Sequence, residues 1–176
     1  AAICAIVSIT ASALASLLPQ NSFGEPTYFS RGWQFRLEKG EWRTLDLPHD
    51  WSIEAAPDKR YASCQGYLPG GKGVYRKTFL DTDLPQADST FIYFEGVYNR
   101  SEVRLNGKLL GRRPNGYASF MYNMTPYIKK GKNIIEVHVD HSRQADSRWY
   151  TGSGIYRDVW VMTTGRTHFA QWGQGY

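Results

Sequence analysis

The sequence has little cysteine and none of the usual metal-ligand spacings, and both shortages narrow what it can be. Only Cys4 and Cys64 occur in 176 residues. Cys4 lies in a segment expected to be removed, so Cys64 has no partner and no disulfide framework supports the fold. The histidines, His49, His138, His141 and His168, are scattered, with no HExxH or CxxC. No structural metal and no cofactor is therefore expected. His138 and His141 fall at a strand end, where a surface role is expected. A GxSxG nucleophile motif is also missing, and Gly152-Ser153-Gly154 reads as a turn.

Long helical periods are absent too, and the length is short of the ~250 residues that a (β/α)8 barrel needs. Charge of one sign is not concentrated. The net charge is +5, but the basic residues come singly or in pairs, such as Arg112-Arg113 and Lys129-Lys130. A nucleic-acid partner is not expected from such a pattern. Gly66-Tyr67-Leu68-Pro69-Gly70-Gly71-Lys72 matches most of a phosphate-loop motif, but Gly73 stands where Ser or Thr would ligate magnesium. Its context fails as well, because such a loop needs a strand before it and a helix after it.

What is abundant points to strands. Aromatics are 15% of the chain, with 17 Gly and 8 Pro, a mixture that suits short strands and turns and excludes disorder. Gly32–Lys39 alternates, with Trp33, Phe35 and Leu37 on one face. Gly73–Asp81, Thr90–Tyr98, Asn133–Val139 and Ile155–Thr163 read as further strands, with Thr90–Tyr98 central. Ser101–Leu105 and Lys108–Gly111 flank Asn106-Gly107, the strongest hairpin signal because both positions tolerate positive φ in a type I′ turn. Strands at this spacing predict an all-β, two-sheet sandwich, of which the jelly roll is one version.

Residues 1–18 are apolar, interrupted by Ser and Thr, and pass through Ala13-Leu14-Ala15 before Ser16. This reads as a secretory signal over residues 1–15 with its N-terminus clipped, so a secreted or periplasmic location is expected rather than membrane insertion. The polar segment from Asp140 to Arg157 carries Trp149 and Tyr150 between two strands. Loops on a rigid sandwich are where binding groups sit, and carboxylates, guanidinium groups and an aromatic face together suit a sugar. In the alternative reading Arg148 pairs with Asp146 or Asp140 and Trp149 plugs the end of the sandwich. Leu47-Pro48-His49-Asp50-Trp51-Ser52 is a second candidate loop, in which His49-Asp50 could cap a turn and Trp51 pack inside. Asn99-Arg100-Ser101 and Asn123-Met124-Thr125 fit the N-glycosylation pattern.

Several segments, in order, resemble the N-terminal sugar-binding domain of family 2 glycoside hydrolases, and the β-galactosidases most. They are Leu47-Pro48-His49-Asp50-Trp51, Gly73–Phe79, Phe94-Glu95-Gly96-Val97, Val103–Gly107, Gly111 with Gly116–Phe120, and Asp146-Ser147-Arg148-Trp149 through Gly154–Val159. The resemblance implies a galactose-binding-like jelly roll over residues 22–165 and a lead-in to an immunoglobulin-like domain over 166–176. It implies that the two catalytic glutamates lie on a later barrel, so this chain holds no catalytic residue and is expected to be inactive alone. Asp146 is then implied to help bind the non-reducing sugar, with Arg148 and Trp149 beside it. The expected partners are a β-galactoside or related β-glycoside and the C-terminal domains of the same polypeptide. A standalone carbohydrate-binding module is the alternative, and an interaction domain a third.

Overall fold

The computed structural model describes residues 24–143 and 146–168. The expected leader, and all of the expected lead-in beyond residue 168, lie outside the described residues. The described chain forms two antiparallel sheets packed face to face. The elements are β1 (Thr27–Tyr28), β2 (Trp33–Leu37), β3 (Arg43–Leu45), β4 (Gly71–Leu80), β5 (Ser89–Phe94), β6 (Ser101–Leu105), β7 (Lys108–Arg113), β8 (Phe120–Asn123), β9 (Lys132–His141) and β10 (Val159–Thr164), with short 3-10 turns between some of them. One sheet runs β3-β2-β4-β9-β6-β7 and the other β1-β10-β5-β8. This is the jelly-roll sandwich.

Alternation builds the core. On β9, Asn133, Ile135, Val137, Val139 and His141 are buried while the residues between them are covered only in part or exposed. Trp33, Phe35, Tyr75, Val103 and Leu105 join them from the same sheet, and Ile92, Phe94, Val159 and Val161 meet them from the other. Each large apolar side chain among them contributes roughly 1.5–3 kcal/mol through burial. The opposite face of the six-stranded sheet carries charge. There Arg76 donates to Glu136 at 2.8 and 2.9 Å, and Glu102 accepts from Arg104 and Arg112. Leu37, expected on the inner face, is 38% exposed at the end of β2.

The predicted hairpin is present, with φ of +51° at Asn106 and +79° at Gly107, and β5 lies between β10 and β8 as a central strand. Two segments are shorter than expected. β5 ends at Phe94, and β10 begins only at Val159, because residues 155–158 leave the ladder after a single bridge between Tyr98 and Gly154. The phosphate-loop look-alike has no helix after it: Gly66 caps a 3-10 turn in the left-handed region and Gly71 opens β4.

Candidate functional site

Three chain segments meet at one end of the sandwich: the loop from Leu47 to Ser52, the Tyr98-Asn99-Arg100 corner after β5, and the stretch from His141 to Ile155. Trp51 is packed inside, 3% exposed, stacked on Phe35 with ring centroids 5.6 Å apart, and its indole N–H donates to the Gly70 carbonyl. That settles the packing alternative for Trp51. Beside it, the buried Tyr75 hydroxyl accepts from the Ile155 N–H and lies 2.7 Å from His49 Nδ1. His49 Nε2 lies 3.1 Å from Glu54 and 3.2 Å from Arg43 Nη2, and Glu54 and Arg43 pair with each other. Burial pushes the Tyr75 phenol well up and holds His49 below its ordinary 6.5, against the pull of Glu54.

Asp50 ties the first loop to the third segment. Its Oδ1 accepts from the N–H groups of Ser52 (3.0 Å) and Ser153 (2.8 Å), and its Oδ2 accepts from the Tyr150 hydroxyl. Burial and that hydrogen bond together push the Tyr150 phenol far up. Gly154 sits at φ +116°, and a Cβ there would lie 2.1 Å from the Tyr75 hydroxyl. Only glycine fits this crossing.

Asp146 stands on the rim. Its backbone is open to solvent, but its side chain is only 16% exposed. Oδ1 faces the Tyr98 hydroxyl at 3.3 Å and His141 Nε2 at 3.4 Å; Oδ2 accepts from Asn99 Nδ2 at 3.0 Å and lies 3.7 Å from Arg100. Arg100 also reaches Asp140 at 3.7 Å. These are ion-pair distances beyond hydrogen-bond reach, and one buried nitrogen of the guanidinium, like Asn99 Oδ1, has no hydrogen-bond partner.

The structure thus separates the three expected site residues. Asp146 enters a polar cluster, whereas Arg148 and Trp149 stay in solvent, Trp149 at 62% exposed. The alternative pairing is not formed: among the described residues Asp146 and Asp140 take Arg100 and not Arg148. Nor does Trp149 plug the sandwich.

Three partners of Asp146 and Asp50, namely His141, Asn99 and Ser153, were not legible as site residues. His141, expected at the surface, is 4% exposed. It continues the inward register of Val137 and Val139, and that parity is the signal that could have found it. Asn99, in the first glycosylation pattern, is 7% exposed and donates to Asp146, so it is not presented for modification. Ser153 is fully buried, 2.6 Å from both Ser52 Oγ and His141 Nδ1. Ser153, His141 and Asp146 form a Ser-His-Asp sequence of contacts, but the hydroxyl is sealed from solvent and the imidazole is reversed, with Nδ1 on serine and Nε2 on aspartate. It is not a nucleophile's arrangement. Among the described residues no three His, Cys, Asp or Glu side chains gather as a metal-binding group, and Cys64 is a free thiol.

The model of the glycosyl hydrolases family 2 sugar-binding domain matches residues 41–165. The chain belongs to glycoside hydrolase family 2. It is 46% identical over 164 residues to a β-galactosidase of Bacteroides ovatus, covering 85% of this chain and 19% of that protein. A β-glucuronidase of Bacteroides fragilis is 29% identical over 147 residues, covering 78% of this chain and 20% of the relative. Among solved structures, a β-glycosidase from Bacteroides vulgatus superposes with a TM-score of 0.73 at 46% identity, over 78% of this chain and 20% of its own. The chain therefore spans about a fifth of the length of the family 2 relatives it matches. No helix among the described residues is long and apolar enough to cross a membrane.

Proposed function

We propose that this domain supplies one wall of the sugar site of a secreted, retaining family 2 glycosidase that acts on β-linked, galactose-terminated substrates. The observation that carries the reading is the Asp146 carboxylate, held at the rim by Tyr98, Asn99, His141 and Arg100. A carboxylate fixed by several donors keeps lone pairs aimed outward for sugar hydroxyls and loses little entropy on binding. Arg148 and the open indole of Trp149 on the same loop add a donor and an apolar face for the C–H side of a ring. The pair of carboxylates for retaining hydrolysis would come from later domains of the polypeptide.

Purified chain should turn over no aryl β-galactoside. In the longer glycosidase, Asp146→Ala should raise KM about tenfold or more, the value of one lost charged hydrogen bond. Turnover by the chain alone, abolished by Asp146→Ala, would show that the chemistry is here and sink the division of labour. The exposure of Trp149 favours a second reading, a standalone sugar-binding module. Calorimetric titration of the isolated chain with methyl β-galactoside separates the two: millimolar binding supports the module, and no heat leaves the wall of a shared site.

A further inference from the structure

The contacts from Pro69 to Asp146 carry a proton count that the buried residues cannot meet in every state. The Pro69 carbonyl only accepts, so the Ser52 hydroxyl, 2.6 Å away, commits its proton there. The contact between Ser52 and Ser153, also 2.6 Å, then needs the proton of Ser153. Ser153 has none left for His141 Nδ1, so that 2.6 Å contact needs an Nδ1–H. The Asp146 carboxylate, 3.4 Å from Nε2, needs an Nε2–H. Both ring nitrogens must carry protons for the chain of contacts to be complete, which only the imidazolium provides. A neutral ring breaks the chain in one of two places. With Nδ1–H, a nitrogen lone pair faces the Asp146 carboxylate. With Nε2–H, the ring takes the Ser153 proton and leaves two hydroxyl oxygens in contact with no proton between them.

We propose that His141 is a positioning residue for Asp146, and that a single proton on its ring decides whether the sugar-binding carboxylate is held or released. The sugar-binding part rests on the function proposed above for Asp146. The groups facing the ring are the carboxylates of Asp146 and Asp50, the guanidinium of Arg100, the side chain of Arg143 across a small shared cavity, and the phenols of Tyr98 and Tyr150. Asp140, one residue earlier on β9, pairs with Lys72 and Arg100. Burial holds His141 below its ordinary 6.5, with Asp146 and Asp50 opposing and Arg100 adding to the fall. The neutral, broken chain therefore holds at neutral pH and the completed one on the acid side. Sugar affinity should rise as pH falls through the His141 midpoint.

The experiment is a pH titration of the 15N- and 13C-labelled 176-residue chain, following both ring nitrogens of His141 and the carboxyl carbon of Asp146. The expected result is that the Asp146 carboxyl carbon responds at the midpoint of the two His141 ring nitrogens, both of which are protonated below it. Asp146→Asn should move the His141 midpoint down by about one unit or more. Ser52→Ala frees the Ser153 proton for Nδ1, satisfies the neutral Nε2–H ring, and should also lower the midpoint. That shift tests the proton count, and the response of Asp146 at the His141 midpoint tests the positioning role. If either variant fails to fold, the wild-type spectra still decide, because an Asp146 carboxyl carbon that does not respond at the His141 midpoint overturns the proposal. A missing coupling together with a raised KM for Asp146→Ala in the longer glycosidase ends this inference and leaves the proposed function standing. Coupling with an unchanged KM ends the sugar-binding role and, with it, the positioning role.

Discussion

Residues 146–150 and residues 152–155 are neighbours in sequence and opposites in environment. From Asp146 to Tyr150 the chain is mostly exposed, and Trp149 touches solvent over most of its surface. From Gly152 to Ile155 every residue is buried and the backbone is fastened on both sides: the Ser153 carbonyl accepts from Trp51, the Ile155 carbonyl from His49, and Gly154 bridges to Tyr98. A recognition loop on a sandwich needs both halves. The dry half fixes the position, and the wet half carries the exposed Arg148 and Trp149 beside Asp146 and Tyr150, whose side chains are tied back to the sandwich.

The sharpest way to break the dry half is Gly154→Ala. A Cβ at φ +116° placed 2.1 Å from the Tyr75 hydroxyl combines backbone strain with overpacking, and should cost about 3 kcal/mol or more in urea-melt stability. Asp50→Ala comes next. It strips an acceptor from two backbone N–H groups and from Tyr150, with an expected loss of about 2–3 kcal/mol. The same variant should return the Tyr150 phenol toward the ordinary tyrosine range, measurable by following its ring resonances at alkaline pH.

Acidification should act on the same half, more gently. His49 and His141 are both held below their ordinary 6.5 by burial. The unfolded chain therefore binds protons that the folded chain resists, so stability present above pH 6.5 is lost as pH falls toward the folded midpoints. Urea melts at a series of pH values should show that decline beginning near pH 6.5, before the carboxylates titrate. The opposite sign would mean that the histidines are stabilised as cations. Trp149→Ala tests the wet half and should have the smallest effect on stability, within about 0.5 kcal/mol. Its effect should fall on sugar affinity in the longer glycosidase.

The same contrast explains what could be read from the sequence. The long strands with one face on the core announce themselves by alternation, as in Asn133–Val139, and the Asn106-Gly107 turn by its chemistry. β1, β3 and β8 are two, three and four residues long, too short for a period to show, and they take their form from neighbours already in place. The segment 155–158 reads as strand but is held by the crossing at Gly154, a contact between residues distant in sequence. In the site, Asp146 was legible only through resemblance. Its partners Tyr98, Asn99 and His141 come from strand ends and corners, and Asn99 showed only a match to a glycosylation pattern because sequence carries no record of which side chain it faces.

The most direct test of the account is Asp146→Asn in the longer glycosidase, measured as KM and kcat on an aryl β-galactoside alongside the urea-melt stability of the same variant. The account predicts a KM raised about tenfold or more, with stability changed far less than by Asp50→Ala. Unchanged kinetics with an intact fold would contradict it and make Asp146 a structural member of the cluster around His141.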